Sequence, residues 1–186
     1  MKMCDYAKME KRIKETHIDG LYIIQGLNFP DQRGSLVKPF SKLYFERIRD
    51  INLDFKETWF TKSHKNVIRA MHLQVGDSAC EKLISVIQGS VLDVILDIRK
   101  KSPTFGKYFE FELDENNSAG IYIPKGCAHG YKVLKEKSIT MYMATEVNVP
   151  KDDVGIRWDS FGYDWKIKNP ILSERDKNLP LFKDLF

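Results

Sequence analysis

The chain has 186 residues, 42 % hydrophobic and 30 % charged, with eleven Phe, eight Tyr and three Trp. That stock of bulky side chains can fill a core and excludes a disordered polymer, and the length suits one domain over residues 1–186. Thirty basic against 26 acidic residues leave a net charge of +4. The signs are interleaved, and the densest basic run, Lys8 to Lys14, encloses Glu10, so no nucleic-acid partner is expected. No apolar run approaches the ~20 residues that span a bilayer, and residues 1–16 are too polar for a secretory signal. Cys4, Cys80 and Cys127 form no CxxC pair. No membrane partner, free thiols and a cytoplasmic location are therefore expected.

Most of the chain reads as short strands. Leu21–Ile24 is an apolar run closed by Gly26. Val67–Leu73 mixes apolar positions with Arg69 and His72. Leu83–Ile87 leads into a turn at Gln88-Gly89-Ser90, and Val91–Ile98 is β-branched with Asp93 and Asp97 four residues apart. Tyr108–Leu113 and Ser138–Ala144 alternate apolar and polar, the period-two sign of a half-buried strand. Ile121–Ile123 runs into Pro124-Lys125-Gly126, where Pro fixes φ and Gly frees it. Helix is predicted only from Ser41 to Arg49 and from Ser173 to Asp184, where Ser173 with Asp176 three residues on suggests a cap. Strands at intervals of about 8–12 residues with Gly, Pro and Asn between them predict an all-β sandwich or barrel.

Two of the four histidines, His72 and His129, fall in predicted strands or strand edges; His17 and His64 lie in polar stretches and read as surface residues. Arg69 and His72 are three apart, so an ideal pleat turns them to opposite faces unless a bulge intervenes. Lys82 follows His72 by ten residues, and a hairpin-like return would bring its ammonium to the imidazole. Pro124-Lys125-Gly126-Cys127-Ala128-His129 has the Pro-x-Gly-x-x-His form of cupin barrels. Metal-binding cupins also carry His-x-His, but here the first segment reads His72-Leu73-Gln74. With His72, His129 and at most Glu81 the ligand set is short, and no metal is expected.

Asp31-Gln32-Arg33-Gly34, Asn66–Gln74, Glu81-Lys82-Leu83, Asp93–Arg99, Ser102–Gly106, Ile123–Gly130, Gly155–Trp158 and Leu172–Asp176 stand in one consistent order from about Ile13 to Leu179. In this ordered set the chain resembles the dTDP-4-dehydrorhamnose 3,5-epimerase family. The resemblance implies a cupin-type jelly-roll barrel with short peripheral helices. It also implies a cofactor-independent isomerase, a homodimer, and a nucleoside-diphosphate 4-keto sugar as substrate. Carried residue by residue, it makes His72 the base, Asp176 its carboxylate partner, Tyr142 the acid on the opposite face and Lys82 the charge at the ketone oxygen. Arg69 and His129 would line the sugar and diphosphate pocket, and Arg33 would reach the diphosphate, often from the partner subunit.

These residue types suit the chemistry. A C–H beside a ketone is acidic because its anion spreads onto oxygen. Catalysis then needs a near-neutral base, a cation at the oxyanion and an acid on the far face. The chain departs from the family at Glu57-Thr58-Trp59, where a Gln-Asp-Asn-like stretch is usual, and at Thr145–Asn148, where aromatic residues are usual. Glu57 and Trp59 are therefore expected to contact a different sugar or base, with GDP-linked hexose or heptose beside the dTDP-linked sugar, in surface-polysaccharide synthesis. A ketoisomerase on the same scaffold and a sugar-binding cupin without turnover are the alternatives.

Overall fold

The computed structural model describes residues 12–42, 51 and 54–185. Beyond Lys42, the helix expected up to Arg49 lies outside the described residues, as do Cys4 and Lys8. Two antiparallel sheets face each other. The first holds β1 (Ile13–Glu15), β2 (Tyr22–Gln25), β10 (Ala119–Ile123), β7 (Lys82–Gln88), β12 (Lys137–Ala144) and β5 (Glu57–His64), paired in that order. The second holds β13 (Asp153–Gly155), β6 (Ile68–Gln74), β11 (Cys127–Val133), β8 (Ser90–Asp97) and β9 (Tyr108–Asp114), again in that order. Strands adjacent in sequence mostly cross between sheets, as in a jelly roll. A separate hairpin, β3 (Leu27–Asp31) and β4 (Gly34–Lys38), exposes nearly all its residues.

The core between the sheets is built from Ile84, Val91, Ile95, Leu113, Ile121, Tyr131 and Val133. Residues 156–182 cover the outer face of the second sheet, where Ile68, Met71, Val94, Leu96, Ile156 and Trp165 form another buried cluster. β8 and β11 are thus buried on both faces, which is why Val91–Ile98 reads as a nearly continuous apolar run. Asp97, fully buried, is held by Arg99, Ser102 and Thr104 at 2.6–2.8 Å. The turns read from sequence occur: Gly89 and Gly126 have φ of 79° and 77°, a region open to glycine and costly for other residues.

The final segment forms two single-turn helices, α1 (Glu174–Lys177) and α2 (Phe182–Leu185), with Pro180 between them. Proline cannot donate the hydrogen bond that would join them into one helix. Ser173 caps α1 as its spacing suggested: its Oγ accepts from Asp176 N at 3.1 Å.

Candidate active site

Between the sheets opens a cavity of about 370 Å³, lined by Glu57, Trp59, Thr61, Arg69, His72, Gln74, Cys80, Lys82, His129, Tyr142, Ala144, Glu146, Asn148, Asp153 and Arg175. Eight of the nine site residues named from sequence come together: seven, Trp59 among them, line the cavity, and Asp176 adjoins it through His72. Arg33 stands elsewhere, at the tip of the β3–β4 hairpin, 84 % exposed and paired with Asp31. Within its own chain it does not enter the cavity.

β6 and β11 supply the imidazoles. In their pairing His129 lies opposite His72 and Tyr131 opposite Arg69, so three residue steps on β6 match two on β11. This bulge at Ala70–Met71 resets the alternation and turns Arg69 and His72 to the same cavity. Gly130 sits against the bulge: a Cβ there would meet Ala70 Cβ at 2.4 Å and Met71 Sδ at 2.8 Å.

His72 Nε2 lies 2.8 Å from Asp176 Oδ1, with the carboxylate side chain 5 % exposed. Burial pushes the Asp176 carboxyl up, but the hydrogen bond and charge of His72, with the Ala70 and Ser173 contacts, hold it below the usual range. An ionised carboxylate at this distance fixes the imidazole's orientation. His129 has a parallel arrangement, its Nε2 2.9 Å from Asp93 Oδ1, both buried.

Lys82 and Tyr142 come from the first sheet. β6 and β7 lie in different sheets, so the Lys82 ammonium reaches the cavity from across the lumen and not by a hairpin return; the 3₁₀ turn at Gly76–Ser78 carries the chain over. Burial pushes the Lys82 pKa down. Tyr142 stacks on Trp59 with ring centroids 5.0 Å apart and planes 2° from parallel, and meets His129 edge-on at 6.0 Å. Burial pushes its phenol well above the ordinary value, so it enters the cavity protonated. Glu57 Oε2 accepts from Asn148 N at 2.8 Å, and Glu146 pairs with Lys56; both departures from the family pattern thus meet at one end of the cavity.

Other groups were not read from sequence. Arg175 donates to Asp153 Oδ2 at 2.8 Å on the cavity wall, and Asp93 was visible only as one of two regularly spaced acids. Glu81 accepts from Thr145 Oγ1 (2.6 Å) and pairs with Lys125; it is not among the residues that line the cavity with the two histidines. Among the described residues no three His, Cys, Asp or Glu side chains converge as a metal site. Burial pushes the Cys127 thiol up to about 12, which makes it a poor nucleophile. No helix among the described residues is long and apolar enough to cross a membrane.

A two-sheet jelly roll with a histidine–aspartate pair facing a tyrosine and a lysine across its lumen is the architecture of a cupin-type isomerase. The chain belongs to the dTDP-4-dehydrorhamnose 3,5-epimerase family, whose model matches residues 15–184. It is similar to the Shigella flexneri dTDP-4-dehydrorhamnose 3,5-epimerase, at 34 % identity over 172 residues, 91 % of this chain and 95 % of that protein. Among solved structures it is similar to the dTDP-4-dehydrorhamnose 3,5-epimerase of Elizabethkingia anophelis NUHP1, with a TM-score of 0.86 at 35 % identity over 92 % of this chain and 96 % of that one. The Legionella pneumophila dTDP-6-deoxy-D-glucose-3,5-epimerase, in complex with dTDP-4-keto-L-rhamnose, gives 0.87 at 33 % identity over 92 % of each chain.

Proposed function

We propose that the protein inverts C3, C5 or both in a nucleoside-diphosphate 4-keto sugar by proton abstraction and reprotonation through an enolate. His72 takes the proton from the carbon beside the ketone, and Asp176 holds the imidazole and stabilises the imidazolium. Lys82 offers positive charge to the oxygen on which the enolate's charge collects. Tyr142 returns a proton from the opposite face, and Arg69 and His129 bind the sugar diphosphate. The substrate's own ketone is the electron sink, so no cofactor is needed.

The observation that carries this reading is the opposition of the His72–Asp176 pair to the Tyr142 phenol across one cavity that also receives Lys82. The relatives' names support a dTDP-linked sugar. Glu57, Trp59 and Asn148 at the cavity wall favour testing GDP-linked hexose and heptose beside it. A cytoplasmic homodimer acting in surface-polysaccharide synthesis, with Arg33 reaching the diphosphate in the partner's site, completes the proposal.

The test is incubation with dTDP- and GDP-linked 4-keto sugars in heavy water, reading C3 and C5 by NMR. Deuterium entering at either carbon with inversion supports the reading; a protein that binds a sugar nucleotide while leaving both C–H protons untouched overturns it.

A further inference from the structure

We propose that Trp59 is the positioning residue for Tyr142: its indole, stacked on the phenol ring, holds that ring at the pitch needed to deliver a proton to the sugar. This deepens the reading above, in which Tyr142 is the acid, and rests on it. The two rings lie with centroids 5.0 Å apart and planes 2° from parallel, and both residues line the cavity. Trp59 stands directly opposite Tyr142 in the β5–β12 ladder, so their side chains leave the same face of the sheet as a cross-strand pair. The backbone of that rung is fastened as well: Thr58 Oγ1, one residue along β5, donates to the Tyr142 carbonyl at 2.8 Å.

The stack matters because of the freedom a tyrosine keeps after its backbone is fixed. The side chain still turns about two bonds, and the hydroxyl, at the far end of the ring and in its plane, moves with any tilt. On the β7 side Tyr142 is paired with the fully buried Ile84. His129 meets the ring edge-on at 6.0 Å and is itself held by Asp93 at 2.9 Å. Trp59 closes the β5 side with a flat surface parallel to the phenol, and a flat surface in contact opposes tilt. The indole is only half-buried, so it is a piece of cavity wall, and a smaller residue there would leave the phenol open on that side.

In the reaction the enolate's electron pair forms the new C–H bond with the Tyr142 proton, and the O–H bond breaks to leave a phenolate. Solvent returns a proton to the phenolate and takes one from the His72 imidazolium once product leaves, so the protons balance. The transfer needs the hydroxyl and the carbon in line at contact distance, and a misplacement of about 1 Å can cost ~10²-fold in such a step. The first step belongs to His72. Abstraction followed by return of a deuteron from the same imidazole gives labelled, uninverted sugar. Trp59 therefore acts on the second step, through Tyr142, and needs no contact with the reacting atoms.

Trp59→Leu and Trp59→Gln remove the stack by two different side chains, and Trp59→Phe keeps a flat ring. The experiment measures two rates in heavy water on whichever 4-keto sugar of the dTDP and GDP panel the wild type exchanges: deuterium entry with retention, and formation of inverted product. Tyr142→Phe sets the floor for the ratio of inversion to exchange. The expected result is a ratio about tenfold or more below wild type in Trp59→Leu and Trp59→Gln, and within about twofold of it in Trp59→Phe. A wall that merely touches the sugar would raise KM and lower both rates together, leaving the ratio alone. An unchanged ratio in either ring-free variant, or a Trp59→Phe ratio as low as theirs, overturns the role of Trp59; with the ratio lowered in Tyr142→Phe, the epimerase reading stands. An unchanged ratio in Tyr142→Phe removes the acid and this inference with it, and a wild type that exchanges no panel sugar overturns both.

Discussion

Asp176 and His72 are separated by 104 residues in sequence and by 2.8 Å in space, the carboxylate reaching up from the first turn of α1 to the imidazole on β6. Its other oxygen accepts from Ala70 N at 3.4 Å, so one carboxylate ties down both the His72 imidazole and the bulge that aims it. Asp176→Asn keeps the shape and removes the negative charge that stands 2.8 Å from the imidazole. Deuterium exchange should fall by about 10²–10⁴-fold, with ligand binding retained by calorimetry.

Lys82 should matter through its charge. Lys82→Met keeps the length and apolar stem and removes the cation, so turnover should drop about 10²–10³-fold with little change in thermal unfolding. Because burial lowers the Lys82 pKa, the ammonium is lost at a lower pH than an ordinary lysine. A rate that depends on it should decline on the alkaline side before lysines usually titrate.

Asp97 offers a test of the fold apart from the site. Burial pushes its carboxyl up, but hydrogen bonds from Arg99, Ser102 and Thr104 outweigh that and hold it far below the usual carboxylate range. A lowered native pKa adds stability that is complete above the unfolded value, near 4, and is lost as pH falls toward the native one. Asp97→Asn should cost about 3 kcal/mol at neutral pH. In urea unfolding the gap to the wild type should narrow as the pH is taken down to about 3.

Arg33 is too exposed for its substitution to unfold the protein, so it allows a clean test of action in trans. If it serves the partner's site in a homodimer, Arg33→Ala and His72→Asn proteins are each impaired alone. Mixed and reassembled, they form heterodimers with one intact site, which should restore about a quarter of wild-type activity. No recovery in a mixture shown to exchange subunits would mean that Arg33 works within its own chain or not at all.

Much of this was legible in the sequence, for definable reasons. Strands β8, β9 and β12 fill apolar space on one or both faces, and their β-branched or alternating residues announced them. Strand β5 was missed because its inward residues Glu57, Trp59 and Thr61 line a cavity, so the pattern that marks a buried face is absent. The exposed β3–β4 hairpin was missed for the lack of any buried face. The shared aim of Arg69 and His72 could not be read either, since a bulge leaves no mark in the spacing of the strand that carries it. His129's partner Asp93 was hidden because side-chain pairing across a sheet depends on register, which single strands do not reveal.

The most direct test of the account is His72→Asn with whichever 4-keto sugar nucleotide the wild type exchanges in heavy water. The substitution leaves a polar side chain in the cavity but no imidazole to take the proton. Deuterium entry at C3 and C5 should fall to background while the sugar nucleotide still binds. Exchange at the wild-type rate in a folded His72→Asn protein would contradict the central claim, because some other group would then be removing the proton.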